Sequence, residues 1–281
     1  MRILVAALYV RGIVSEGGSS FYMKCIIDNL RAMGHQVHVT DCPSMIPLRS
    51  YDLIICSHNE ILKQLSRFNG PKVCISQGII KQEELHSGAD IYYSVSEEAR
   101  DHNRILGIES SVIGQPVNLQ SIVHVNESLK NILIIRNHGT LTGDDPFACL
   151  TSKYNVKNSD PNTPIEDQMK WADVCVTLGR GAVSAMSLGR PVLVADNRYY
   201  QGKVGDGYTD RNTLHEIARY NFSGRRYRYP VTENWLLSEL EKYNPSDSKM
   251  VYDYVCENHD MKKAISRILN DVSNLTGKGI E

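Results

Sequence analysis

The stretch at residues 172–196, ADVCVTLGRGAVSAMSLGRPVLVAD, constrains the fold more tightly than any other part of the chain. The apolar run 174–178 breaks into Gly179-Arg180-Gly181, passes into a helical stretch at 182–188, stops at Gly189 and resumes as Pro191-Val192-Leu193-Val194. The order strand, glycine turn, helix, glycine stop, strand makes one compact βαβ unit. Glycines at such a turn let the backbone approach a ligand closely. The helix start then offers amides with no intrahelical partner, and a positive dipole end, to an anion such as phosphate. The same turn also serves plain geometry in an ordinary βαβ unit, so on this stretch alone both readings stand.

Strand-like and helix-like runs alternate elsewhere too, which predicts an α/β protein with mainly parallel sheets. Residues 3–10 read as a first strand, and their near-continuous apolar character suits a sheet covered on both faces. A loop at 11–20 holds Gly17-Gly18. A helix follows with Met23, Ile26, Ile27, Leu30 and Met33 on one stripe and stops at Gly34. Further strands are predicted at 37–39, 53–56, 73–75 and 91–95, with a helix at 61–68 and a capped helix opening at Ser96-Glu97-Glu98. The polar segment 120–131 reads as a linker before a second set of strands that begins at 132–135. A last helix is predicted at about 249–273, with Val251, Tyr254, Val255, Met261, Ile265, Ile268 and Val272 on one face.

At 281 residues the chain exceeds one average domain, and two domains of roughly 100–150 residues are expected. The linker divides them into an N-terminal domain at 1–125 and a C-terminal one at 126–281, the last helix being free to return to the first. The formal net charge of -1, from 31 Lys+Arg against 32 Asp+Glu, argues neither for nor against a nucleic-acid or membrane partner. Seven cysteines are scattered without a C-x-x-C pair. Cys56, Cys74 and Cys175 fall in strand-like runs, the pattern of buried thiols in a reducing compartment. No apolar run approaches the ~20 residues that span a bilayer, and 3–10 leads into Arg11 and a glycine loop instead of a cleavage site. A cytoplasmic protein without a membrane span is expected.

Several stretches carry a resemblance to a known family. In the first half these are Gly17-Gly18, then a helix and Gly34-His35-Gln36-Val37-His38-Val39; Asp52-Leu53-Ile54-Ile55-Cys56-Ser57-His58; Ser94-Val95-Ser96-Glu97-Glu98; and Gly107-Ile108-Glu109 with Val112-Ile113-Gly114-Gln115-Pro116-Val117-Asn118. In the second half, 172–196 is joined by Gly205-Asp206-Gly207-Tyr208-Thr209 and Asn221-Phe222-Ser223-Gly224-Arg225. Together they resemble the GT-B-fold glycosyltransferases, in the group with a GG loop, a V-S-E helix start and a GR-x-A…AM-x-x-G-x-PV segment. The resemblance implies two Rossmann-like domains facing across a cleft, an acceptor-side N-terminal domain and a donor-binding C-terminal one. It also implies a nucleotide sugar as donor and retention at the anomeric carbon. One position departs: the family places a ribose-binding glutamate where this chain has Ser184, a neutral and shorter hydrogen-bonding group.

Within that frame the donor-binding candidates are Gly179, Arg180, Gly181, Ala182 and Ser184, with Gly17 and Gly18 from the other domain. A guanidinium at Arg180 can meet a diphosphate as a bidentate fork, or it is a solvated loop arginine. His58 directly follows an apolar strand, and the carboxyl ends of parallel strands line ligand crevices. It is a catalytic candidate that would hydrogen-bond the sugar, against a purely structural histidine. Gln77, at the end of the next strand, is a candidate for the same crevice. Asp206 between two glycines is the second catalytic candidate, a carboxylate on a flexible loop for sugar hydroxyls, against a tight Asp-Gly turn. Arg225 and Arg226, interleaved with Tyr227, Arg228 and Tyr229, are candidates for acceptor phosphates or for stacking on bases, against an exposed strand with solvated side chains.

The chain has no D-x-D pair, no G-x-G-x-x-G, no G-x-x-x-x-G-K-[ST], no H-E-x-x-H and no Cys/His cluster. The expectation is therefore metal-independent sugar transfer, with no cofactor beyond the nucleoside diphosphate sugar as donor substrate. A nucleotide-sugar epimerase of the same fold, or a non-catalytic nucleotide- or glycan-binding protein, are the alternatives. The sequence names neither donor sugar nor acceptor, and a modified base in nucleic acid stays among the acceptors. It does not give the oligomeric state.

Overall fold

The computed structural model describes residues 1–8, 18–79, 87–135, 145–196 and 202–277. The chain forms two compact units, Met1–Asn118 together with His259–Glu281, and Leu119–Asn258. The division therefore falls at Asn118, a few residues before the expected boundary, and the segment from His259 onward belongs with the first unit.

In the first unit the elements run β1 (Arg2–Ala6), α1 (Gly18–Ala32), β2 (Gln36–Thr40), β3 (Leu53–Cys56), α2 (Asn59–Gln64), β4 (Lys72–Ser76), β5 (Ile91–Ser94), α3 (Glu97–Ile105) and β6 (Ser111–Val112). They form a six-stranded sheet in the order β2-β1-β3-β4-β5-β6, every pair parallel. Alternation along β1 explains its continuous apolar character. Ile3 and Val5 join a core with Tyr22, Met23, Ile26 and Leu30 of α1, while Leu4 and Ala6 join the opposite core with Ile54, Ile61, Leu65 and Phe68. Chain order reverses between β1 and β3, so the carboxyl ends of these two strands mark the topological switch point.

The second unit runs β7 (Asn131–Ile134), β8 (Asn155–Asn158), α4 (Ile165–Trp171), β9 (Val174–Thr177), α5 (Gly179–Met186), β10 (Val192–Ala195), β11 (Val204–Tyr208), α6 (Leu214–Arg219), β12 (Tyr229–Pro230), α7 (Glu233–Leu240) and α8 (Asp247–Asn258). Its sheet is ordered β12-β11-β10-β9-β7-β8, with β8, β7, β9 and β10 parallel and the β10–β11 and β11–β12 pairs antiparallel. The switch point here lies between β7 and β9, and α5 starts at the carboxyl end of β9.

Two expectations are corrected. The single helix at 249–273 is two helices, α8 and α9 (Met261–Thr276). The apolar stripe continues through the break, but Asp260 caps α9 through the Lys262 amide at 2.9 Å. Val117 pairs with the break: its amide donates to the His259 carbonyl at 2.7 Å, and the Met261 amide donates back to Val117 at 3.0 Å. The stripe then serves two cores, since Met261, Ile265, Ile268 and Val272 pack with α1 in the first unit while Val251 and Val255 are buried on α8 in the second.

The segment 120–131 is not a free linker either. Its backbone is strapped to the second unit by the Val123 amide on Leu188, by Tyr252 Oη on the Gln120 carbonyl at 3.0 Å and by Tyr243 Oη on the Asn126 carbonyl at 2.6 Å. Asp173 and Arg190 complete the strap.

Candidate functional site

The glycine segment after β9 is the first turn of α5, which begins at Gly179, three residues before the expected helix start. Gly179 takes φ 52° and its amide donates to the Phe222 carbonyl at 2.8 Å. The residue before the helix is Leu178, whose side chain has no acceptor to cap the turn. Beyond Gly179, the Gly181 amide lies in the first turn, before the helix's own i→i−4 bonds begin. Arg180 is 7% exposed, so it is not the solvated loop arginine of the bland reading. Ala182 is buried beside it, and Ser184 lies half-buried one turn further on. A Cβ at Gly181 would overlap the Thr177 hydroxyl, so glycine is required there for space.

Facing this turn is the loop 221–224. Asn221 and Phe222 are consecutive non-glycine residues in the left-handed region, at φ 58° and 51°, which costs on the order of 1–2 kcal/mol each. Gly224, at φ 79°, sits where a Cβ would come within 2.8 Å of the Val204 carbonyl oxygen. The loop is held by Asp206. Oδ1 of Asp206 accepts the Tyr227 amide at 2.7 Å. Burial pushes the Asp206 carboxyl up from its usual range, and the amides of Tyr227, Arg228, Gly224 and Arg226 oppose that rise.

Asp206 is therefore not on a flexible loop. It lies in β11, buried, as the anion around which the next loop wraps. Its flanking glycines admit helix α7: Gly205 lies under the Trp235 ring, and a Cβ at Gly207 would come within 2.6 Å of Glu239 Oε2, which also accepts the Tyr208 amide. The arginine run is likewise mostly committed. Arg226 Nε donates to Glu216 Oε2 at 2.9 Å, and its guanidinium lies over Tyr220 at 5.6 Å and Tyr227 at 5.1 Å. Only Tyr229 and Pro230 form strand, with Tyr227 stacked on Tyr229 at 5.7 Å; Arg225 is half-buried.

In the first unit, His58 follows β3 at the switch point and precedes α2. It is 6% exposed and held at φ 75°, ψ 137°, a strained conformation for a non-glycine residue. Gln77 follows β4, and its Nε2 donates to Ser57 Oγ at 3.0 Å, so the ends of β3 and β4 bring Ser57-His58 and Gln77 together. Gly18 opens α1. Gly17 lies outside the described residues.

Two buried charges in the second unit were not among the sequence candidates. Asp173 accepts the amides of Asn126 at 2.9 Å, Lys130 at 3.0 Å and Asn131 at 2.8 Å, and the Asn126 side-chain amide at 2.9 Å. Arg190, fully buried, donates to the carbonyls of His124 at 2.9 Å and Lys170 at 3.0 Å. Each flanks an apolar strand, where a charged residue reads as a solvated end; the one sequence signal was their position against fully buried runs. Together they fasten the strap to the end of α5 opposite its candidate ligand end. Among the described residues no group of three or more His, Cys, Asp or Glu is placed to hold a metal ion, and no helix is long and apolar enough to cross a membrane.

No protein-family model matches the chain, and no curated protein matches it. Solved structures do. Sucrose-phosphate synthase from Thermosynechococcus elongatus superposes with a TM-score of 0.60 at 13% identity, covering 99% of both chains. The glycotransferase of kitacinnamycin gives 0.55 at 11% identity, covering 96% of this chain and 98% of that one. The fold is GT-B. A third likeness is to TarM of S. aureus, solved with UDP, at a TM-score of 0.50 and 12% identity, covering 78% of this chain and 55% of that one. The two six-stranded, mostly parallel sheets are the two Rossmann-like domains of GT-B, and the structural neighbours are glycosyltransferases.

Proposed function

We propose that this chain is a glycosyltransferase that moves a sugar from a nucleoside diphosphate sugar to an acceptor without a metal ion. The observation that carries the reading is the start of α5. It lies at the switch point of the second sheet, with no capping side chain at Leu178 and with Arg180 buried in its first turn. As the sugar leaves, negative charge gathers on the diphosphate. A helix start and a guanidinium fixed in advance stabilise that charge without reorganising. Ser184 would hydrogen-bond a ribose hydroxyl as a neutral group, where the family uses a glutamate. Asp206 is assigned to holding the loop and not to touching the sugar. In the first unit, Gly18 stays a donor-binding candidate, His58 the candidate that hydrogen-bonds the sugar and Gln77 an acceptor candidate, and the strain at His58 supports a positioned group there. Retention at the anomeric carbon is what the family resemblance favours.

A thermal-shift screen with UDP, GDP, ADP and their sugars tests the reading. A ligand at 100 times its Kd stabilises by about 2.7 kcal/mol. At least one nucleoside diphosphate is expected to raise Tm, and the shift is expected to persist in EDTA. No shift with any of them, or a shift lost in EDTA and restored by magnesium or manganese, would contradict the proposal.

A further inference from the structure

Thr177 and Ser223 carry hydroxyls that are buried without a hydrogen-bond partner among the described residues, at 1% and 8% exposure. Both lie against the start of α5. Thr177 is the last residue of β9 and its hydroxyl abuts Gly181. Ser223 adjoins Phe222, whose carbonyl meets the Gly179 amide. Strand register carries Thr177 across Val194 to Gly207, next to Asp206, so the anchor of the loop stands on the same sheet two strands away. A buried hydroxyl without a partner destabilises the protein that keeps it. Two of them beside one helix start, one at the end of β9 and one on the loop that also holds Asn221 and Phe222 in strained conformations, form a pair of donors with no acceptor among the described residues.

We propose that loop 221–224 is the second wall of the anion site at α5, with the Thr177 and Ser223 hydroxyls donating to the terminal phosphate of a nucleoside diphosphate. This rests on the donor site proposed above and adds the part that counts phosphates. The charge of the helix start and Arg180 attracts any phosphate, whereas two hydroxyls at fixed positions reward the second one. Asp206 acts through the loop as a positioning residue, because its carboxylate gathers the amides on either side of Arg225.

Calorimetry on the full chain with UDP, GDP and ADP, their monophosphates and inorganic pyrophosphate tests this. The wild type is expected to prefer the diphosphate. Ser223→Ala and the near-isosteric Thr177→Val are each expected to cut that preference about tenfold, with monophosphate affinity within about twofold of wild type. Because neither hydroxyl has a partner among the described residues, Tm should stay or rise in both variants. A lowered Tm would show a structural role and overturn the inference. Diphosphate preference kept in both variants would overturn it too, while leaving the donor site standing. A wild type that binds none of the probes would remove both.

Discussion

Arg180→Ala is expected to weaken binding of a nucleoside diphosphate by about 1.5–3 kcal/mol, roughly 10- to 150-fold in Kd. The guanidinium sits in the first turn of α5, where the helix dipole and the backbone amides already favour an anion. Burial of Arg180 makes the interaction stronger than a surface pair, since less water screens it. Lysine keeps the charge but not the planar fork, so Arg180→Lys should fall between wild type and alanine. Calorimetry on variants whose Tm matches wild type checks this. Unchanged affinity in a folded Arg180→Ala would take the residue out of the site.

Asp173→Ala should be the most damaging single change to stability, at about 3–4 kcal/mol. The substitution strips the acceptor from three backbone amides and the Asn126 side chain at once. It also removes a carboxylate from the field of the buried Arg190, whose guanidinium hydrogen-bonds to the His124 and Lys170 carbonyls. Asp173→Asn keeps one acceptor oxygen and should lose less. Urea unfolding of the three proteins separates these cases. A loss below about 1 kcal/mol for Asp173→Ala would show that the strap at 120–131 is held by other contacts.

Much of the fold was legible because parallel strands buried on both faces write themselves as unbroken apolar runs, as at Leu53–Cys56 and Val174–Thr177. The turn at Gly179 was legible for the same reason, since glycine between an apolar strand and a helix has few other uses. What stayed hidden was tertiary. The stripe from Val251 to Val272 is continuous in sequence, and only the capping at Asp260 and the pairing of its neighbours with Val117 break it into two helices. Gly205 and Gly207 suggested a flexible turn around Asp206, but they are glycines so that Trp235 and Glu239 of α7 can pack close. The loop at 221–224 entered as a motif. Its place against α5 depends on Asn221 and Phe222 adopting left-handed backbone, which residue type does not announce.

The central claim is that the second unit binds a nucleoside diphosphate sugar and cleaves it. The direct measurement is release of nucleoside diphosphate from each of a panel of donor sugars, followed by chromatography over hours at micromolar protein in EDTA. Water serves as the fallback acceptor. At least one donor is expected to release its diphosphate above the protein-free blank, with the rate lowered at least tenfold in Arg180→Ala. A donor that binds and is never consumed would make this a binding protein. A donor whose sugar is rearranged while the nucleotide stays attached would make it an epimerase.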